Sequence, residues 1–561
     1  MRRGIRRAPA WLALVLSLAL VAAACGGDED EPDVTGPGET GPEPTGETTT
    51  GPTGGSWSLE ICEPESLIPQ VNAETCGSQV LKALFTPLIT FTPEDEVVFT
   101  VAESIESEDN VNWTVTLREG WTFHDGTPVT AQSFVDAWNW GAYGPNGAGN
   151  NYFFGPFGVN IVGYDELNPS EGDPETDQLS GLQVVDDRTF TVELGAPFSE
   201  FPITVGYNAF YALPESFFDD PEAWNESPVG NGPYMMDGSW EHDVGINVVR
   251  YEDYAGEPGN ADSVEFRIYA DPDTAYRDVQ AGNLDIMTAV PPEQIEAAQG
   301  EFGDRFLESP SSSFSYIGLP QYVDQLQNAD LRKALSLAID RQAVIDAIYF
   351  GTLTPADDMV SPVVQGYREG VCQYCVFDPE QAQQLFDAAG GFDGTLEIWF
   401  NNDGGHEEWI EAVANMWRQT LGIEDITFES MPFARYLGRL DQGLDDDEST
   451  PGVTGPFRLG WVMDYPSMQN YLENLHGTEA GSNYTTYSNT QFDDLIAQGK
   501  SASTLEEAVS FYQQADDLIL EDMPIIPLWF GLGQTVHNET VSNIIVDKFT
   551  FVDVAAVQVA G

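Results

Sequence analysis

From Val111 to Leu117 the side chains Val111-Asn112-Trp113-Thr114-Val115-Thr116-Leu117 alternate apolar and polar, the two-residue period of a strand with one buried face. The period then changes. Thr130 stands where a helix N-cap is expected, and Phe134 and Trp138, four residues apart, share one helical face. Upstream, Leu59 to Pro69 reads as a strand and turn, and Val80 to Ile89 as an apolar helix ending near Pro87. Downstream, Asn328 to Gly351 reads as one long helix with Asp330 as N-cap and Gly351 past its end. Asp378-Pro379-Glu380 opens another, with N-cap, first-turn proline and early acid in place, and Gly390 stops it.

Late in the chain, Phe457-Arg458-Leu459-Gly460-Trp461 reads as a buried strand running into Val462-Met463-Asp464-Tyr465-Pro466. Asp464 is thereby a single carboxylate between two large aromatics, Trp461 and Tyr465, at a strand's carboxyl end, where a crevice opens in α/β sheets. Such a group suits a cation with an apolar body, such as the amino end of a peptide. The competing reading has Asp464 open a turn before Pro466 and Ser467, with both aromatics in core. Spacing alone leaves both open.

The amino-terminal residues change the compartment. Arg2, Arg3, Arg6 and Arg7 precede an apolar run from Trp11 to Val21 and the small residues Ala22-Ala23-Ala24, the pattern of an export signal too short to span a membrane comfortably. Val21-Ala22-Ala23-Ala24-Cys25-Gly26-Gly27 resembles a bacterial lipobox, with Ala22 where leucine is usual, and the resemblance implies acylation of Cys25; plain secretion is the alternative. Asp28 to Ser56 is Glu, Asp, Thr, Gly and Pro with almost no large apolar side chain, a flexible tether that cannot offset its ordering entropy by burial. Cys62, Cys76, Cys372 and Cys375 remain, an even number for an oxidising compartment. A Cys62 to Cys76 bridge closes a loop of about 15 residues, stabilising by roughly 3 kcal/mol in the chain-entropy model. Cys372-Gln373-Tyr374-Cys375 has the spacing of a redox or zinc pair, but no second Cys/His pair with ligand spacing accompanies it.

Charge excludes one class of partner. There are 92 acidic and 21 basic residues, and four of the basic ones belong to the leader, so nucleic acid is not an expected ligand. Lysine is confined to Lys82, Lys333, Lys500 and Lys548. Such a surface repels itself at low ionic strength and suits a saline environment, although an acidic wall solution or lineage bias would give the same composition. With 42% hydrophobic residues, a chain of 561 residues still has material for a sizeable core and for about three to four domain-sized units.

The block from Trp113 to Trp138, including Phe123-His124-Asp125-Gly126-Thr127-Pro128, resembles the signature of the family 5 extracellular solute-binding proteins, which include the oligopeptide and dipeptide receptors of ABC importers. The likeness continues through Pro228-Val229-Gly230-Asn231-Gly232-Pro233-Tyr234, Gln280-Ala281-Gly282-Asn283-Leu284-Asp285-Ile286, the helices after Asn328 and Asp378, Tyr487 to Asp493, and Met523-Pro524-Ile525-Ile526-Pro527-Leu528. Two departures stand out: the acidic stretch Asp441 to Pro456, read as a solvated loop, and Ser467-Met468 where the family commonly has Asp-Pro.

The resemblance implies an α/β, two-lobed periplasmic-binding-protein-like fold with an extra subdomain in the first lobe. The expected division is signal peptide 1–24, lipid-anchored tether 25–55, lobe I at 56–95, 225–310 and 525–561, the extra subdomain at 96–224, and lobe II at 311–524. It also implies that Asp464 meets a ligand α-ammonium, that the ligand adds to the backbone like a strand, and that Trp461 and Tyr465 line side-chain pockets. Arg458, Arg435 and Arg368 are candidates by type for a ligand carboxylate. Expected partners are a peptide or other small solute, the permease and ATPase subunits of an importer, and the outer face of the cell membrane through lipid on Cys25, with the protein a monomer. A sugar, nickel chelate or other solute is the alternative ligand. No cofactor and no metal ligation are expected, because the histidines, His124, His242, His406, His476 and His537, are scattered. A secreted hydrolase is the other class; no Gly-x-Ser-x-Gly elbow, phosphate loop or His-Glu-x-x-His motif supports it.

Overall fold

Two strands of 13 residues, Phe306–Gly318 and Ile525–His537, run antiparallel between a hydrophobic cluster around Val279, Met287 and Val536 and a larger one around Phe314, Tyr471 and Phe530. They occur in a computed structural model that describes residues 54–92, 96–169, 172–402, 405–443 and 452–560. Cys25, the expected signal peptide, most of the expected tether and Asp445 to Glu448 lie outside those residues. Phe306 to Pro310 pairs with Leu532 to Val536, and Phe314 to Gly318 pairs with Ile525 to Phe530, with a register break between Pro310 and Phe314.

The main sheet continues on both sides of this pair. One side adds Ile286–Met287, Ser56–Ile61, Ser263–Ile268, Gly245–Arg250 and Tyr234–Met236; the other adds Phe457–Trp461, Leu396–Asn401 and Ile426–Met431. The first core gathers Trp57, Leu59, Phe134, Trp138 and Phe266; the second gathers Phe314, Tyr316, Phe457, Tyr471 and Tyr512, with an adjoining cluster around Leu335, Trp417 and Trp529. This is a mixed α/β molecule of two lobes. The expected boundary at 310/311 falls within the first long strand, and the one at 524/525 falls just before the second.

Within the first lobe, four strands between residues 102 and 193 build a separate antiparallel sheet in the order Ala102–Glu106, Asn112–Leu117, Thr189–Glu193, Leu182–Asp186. The alternation seen in sequence buries Trp113, Val115 and Leu117. Helix Ala131–Ala142 starts at Thr130 in a capping box with Ser133, and its Phe134 and Trp138 pack on Phe190 with ring centroids 5.8 and 5.5 Å away. The glycine segment 228–234 returns the chain to the main sheet: a Cβ on Gly232 would stand 2.5 Å from the Leu84 carbonyl carbon, and Gly232 N–H donates to Leu84 O at 2.8 Å.

Two sequence expectations are corrected. The first helix is Thr75–Leu84, because the Glu74 carboxylate accepts the Cys76 and Gly77 N–H groups and starts it early, while Ile89–Phe91 is a strand. The long helix after residue 328 is two helices, Ala329–Leu337 and Arg341–Ile348, with N-caps Asn328 and Asp340. Asp340 accepts Ala343 N–H at 3.0 Å, and the buried Arg341 guanidinium donates to Ser336 O and Ile339 O, tying down the carbonyls at the break. Helix Pro379–Ala389 matches its expected ends, with Asp378 accepting Gln381 N–H and Gly390 at φ 93°.

Cys62 and Cys76 stand with Cα atoms 5.5 Å apart and Cys372 and Cys375 with theirs 5.3 Å apart, both within disulfide range.

Candidate functional site

Strand Phe457–Trp461 pairs with Phe306–Gly318 and touches Leu396–Asn401, so its carboxyl end is held in the middle of the second lobe's sheet. The chain leaves it through Val462 to Pro466 and enters helix Met468–His476, whose N-cap is Ser467, with Oγ accepting Gln469 N–H at 3.0 Å. The side chain that caps the helix is thus that of Ser467, and no backbone N–H among the described residues bonds the Asp464 carboxylate. Asn470, one turn into the helix, organises the loop. Its Oδ1 accepts Trp461 Nε1–H at 3.1 Å and Asp464 N–H at 3.0 Å, and its Nδ2 donates to Asp464 Oδ2 at 2.9 Å.

The loop faces a cavity of about 750 Å³. Leu459 to Asp464, Phe433 and Tyr484 line it from the second lobe, and Ser78, Tyr152, Phe157 and Tyr207 from the first. The Tyr152 and Tyr207 hydroxyls approach the Asp464 carboxylate closely enough to favour its charged form, so residues of the first lobe reach the acid across the cleft. Burial pushes Asp464 up to about 6, against the lowering effect of hydrogen bonds from Asn470, Tyr207 and Tyr152. All three partners are neutral, and no lysine or arginine lines the cavity among the described residues. A desolvated carboxylate with donors but no counter-ion is prepared for a cation brought by a ligand.

The sequence candidates separate. Asp464 and Trp461 are in the cavity wall. Tyr465 is not: it is 2% exposed, packs into the first core, and its hydroxyl donates to the Gln469 side chain. Its expected place in a side-chain pocket is corrected: the chain bends at 464–466, and the Tyr465 ring is taken up by the first core and by Gln469 instead of the cavity wall. Arg458 lines a smaller adjoining cavity of about 210 Å³ and donates to Asn401 Oδ1 at 3.1 Å. Arg435 is exposed, and Arg368 is committed elsewhere, with Nη2 2.6 Å from Asp516 and 2.7 Å from Asp517. Tyr152, Tyr207 and Asn470 went unnoticed in sequence. Asn470 carried a weak signal, an amide six residues after Asp464 in the predicted loop-to-helix region; the tyrosines carried none, lying more than 250 residues away in an aromatic-rich stretch.

One group of side chains among the described residues has metal-ligand proximity, Cys62, Glu74 and Cys76, with ligand atoms within 4.8 Å. The cysteines face each other as a pair and Glu74 caps the first helix, so these donors are already engaged.

Comparisons with known proteins place the chain in a family. The model for bacterial extracellular solute-binding proteins, family 5, matches residues 96–483. The oligopeptide-binding protein OppA of Bacillus subtilis is 24% identical over 502 residues, covering 86% of this chain and 88% of OppA. The dipeptide-binding protein DppE of the same organism is 25% identical over 513 residues, covering 88% of this chain and 89% of DppE. In fold, the Escherichia coli murein tripeptide-binding protein MppA superposes with a TM-score of 0.76 at 22% identity, covering 90% of this chain and 98% of MppA. The chain belongs to the bacterial extracellular solute-binding proteins of family 5.

Proposed function

We propose that this protein is the peptide receptor of an ABC importer, capturing di- or oligopeptides in the cleft between its lobes and handing them to membrane permease and ATPase subunits. The observation that carries the reading is Asp464, a half-buried carboxylate held by Asn470 and faced by Tyr152 and Tyr207, with no lysine or arginine in the cavity wall among the described residues. The α-ammonium of a peptide supplies that charge, and Trp461 flanks it with an aromatic surface. OppA and DppE, by their names an oligopeptide-binding and a dipeptide-binding protein, support the ligand class. The cavity of about 750 Å³ is in the size range of small-ligand sites.

The same reading includes the division into lobe I (56–95, 225–310, 525–561), its extra subdomain (96–224) and lobe II (311–524), with the crossing made along the two long strands. It includes disulfides Cys62–Cys76 and Cys372–Cys375, supported by their Cα separations and the exported character of the leader. It also includes a monomeric receptor anchored by lipid on Cys25 to the outer face of the cell membrane. Mass spectrometry of small molecules carried through native purification tests the ligand class: peptides with free amino termini are expected, and a sugar, a metal chelate or another non-peptide solute recovered stoichiometrically overturns it.

A further inference from the structure

Glu200 precedes the short helix Phe201–Thr204, and its neighbours Phe198 and Phe201 belong to the first core. Its own side chain leaves that core. It is 2% exposed, Oε1 accepting the Ser467 hydroxyl at 2.5 Å and Oε2 the Tyr512 hydroxyl at 2.7 Å. Ser467 ends the loop that carries Asp464 and caps helix Met468–His476; Tyr512 lies on helix Leu505–Asp522 in the second core. The seam extends beside Glu200, where Ser199 N–H donates to Lys500 O at 2.8 Å and Asn110 Nδ2 donates to Ala502 O at 3.0 Å.

We propose that Glu200 is a positioning residue that grips the Asp464 loop from the opposite lobe, through Ser467 and Tyr512, so that closing the cleft and placing the ligand-binding carboxylate are one event. The meaning given to Asp464 rests on the peptide-receptor reading; the grip itself does not. A carboxylate buried between lobes is costly to desolvate, and its two bonds run to partners that leave when the lobes separate. Both hydroxyls are neutral. The charged groups nearby are Lys500 and Glu473, joined to each other at 2.9 Å, with Tyr465 packed alongside.

This environment makes the grip proton-linked. Burial pushes Glu200 up to about 7, opposed by its hydrogen bonds from Ser467 and Tyr512 and by Lys500. In an open cleft, water restores an ordinary carboxylate. The closed form therefore binds the proton more readily, closure is favoured at low pH, and the contribution is lost as pH rises through about 7.

Hydrogen exchange of the full-length, ligand-free protein tests this, with rates corrected for intrinsic pH dependence. The segments 196–206 and 498–504 are followed at pH 6 and pH 8.5. In wild type their protection is expected to be about ten-fold greater at pH 6 than at pH 8.5. Glu200→Gln keeps the shape and has no proton to bind, so its protection in these segments should not change with pH. Tyr512→Phe, which leaves Glu200 in place, should keep a pH dependence at lower overall protection and serves if Glu200→Gln does not fold. A flat wild-type profile, or the same pH dependence in wild type and Glu200→Gln, overturns the proposal. Because no ligand is present, that result is independent of whether the natural ligand is a peptide.

Discussion

Asn470 holds Asp464 at both ends, its Nδ2 donating to the carboxylate at 2.9 Å while its Oδ1 accepts the main-chain N–H of the same residue at 3.0 Å. The helix that carries Asn470 is fixed by the Ser467 cap, so the carboxylate is oriented before any ligand arrives. Orientation made in advance reduces the ordering cost of binding.

Replacing Asp464 with asparagine keeps the shape and removes the charge. A ligand ammonium would then be desolvated without a counter-ion, a loss of roughly 2 to 5 kcal/mol for a buried charge pair. Calorimetry with a peptide recovered from the purified protein should show affinity falling ten-fold or far more for Asp464→Asn, with little change in the melting temperature of the empty protein. N-acetylation of that peptide should abolish the difference between the two proteins. Equal affinity for the free peptide contradicts the assignment.

The two tyrosines make a separate, pH-dependent prediction. Hydrogen bonds from Tyr207 and Tyr152 hold Asp464 below the value that burial alone would impose, and the result is about 6. An ionised Asp464 is needed for a cationic ligand, so binding should weaken as pH falls through about 6. Tyr152→Phe and Tyr207→Phe each remove one lowering bond, and the acid limb of the affinity profile should move to higher pH in both. Movement to lower pH would mean that the hydroxyls do not favour the charged form.

Much of the scaffold was legible in the sequence because it is local. The alternation that buries Trp113, Val115 and Leu117, the Thr130 cap and the Asp378-to-Gly390 helix each depend on neighbours a few residues away. The helix after Asn328 was misread because its break is made by Arg341, whose guanidinium also donates to Pro527 O at 2.6 Å and Cys375 O at 2.8 Å, partners a linear reading does not supply. The site divided in the same way. Asp464 and Trp461 follow from the end of one strand, whereas Tyr152 and Tyr207 arrive from another lobe, and no spacing rule connects residue 152 or 207 to residue 464.

A buried pair of acids in the second lobe should leave a mark on stability. Asp516 Oδ2 accepts Arg368 Nη2 at 2.6 Å, its Oδ1 has no donor among the described residues, and the side chain faces Asp358, whose oxygens accept Met359 N–H and Arg368 N–H. A proton shared between the two carboxyls satisfies this arrangement, and burial raises both above the ordinary aspartate value. A group raised in the folded state stabilises at low pH and loses that contribution as pH climbs through its folded value. Asp516→Asn supplies the missing donor permanently. Its melting temperature relative to wild type should improve between pH 5 and pH 8, and a relative decline over that range contradicts the shared proton.

Anchoring is tested at Cys25, which lies outside the described residues. The arginines, the apolar run and the acidic, proline- and glycine-rich stretch after Cys25 are the sequence basis for the proposed acylation. Cys25→Ser should move the protein from the membrane fraction to the medium. Retention of the variant in the membrane fraction, or a wild-type Cys25 found unmodified by mass spectrometry, contradicts acylation.

The last prediction follows from charge. With 92 acidic residues against 21 basic ones, four of them among the first seven residues, most carboxylates have no cation available to pair with. Several of the cations present are engaged locally, as Lys333 is with Glu521, Lys500 with Glu473 and Arg368 with Asp516 and Asp517. The folded protein brings the unpaired charges closer than the unfolded chain does, so their repulsion works against folding. Added salt shortens the screening length from about 8 Å near 0.15 M to about 3 Å at 1 M, less than the spacing of most surface charges. The melting temperature should therefore rise with sodium chloride and level off toward molar concentration. Choline chloride should act nearly as well at equal ionic strength, because screening does not depend on the identity of the cation. A flat or falling curve between 0.1 and 2 M would remove charge repulsion as a major contribution to stability, and a rise confined to sodium would point to specific ion binding instead.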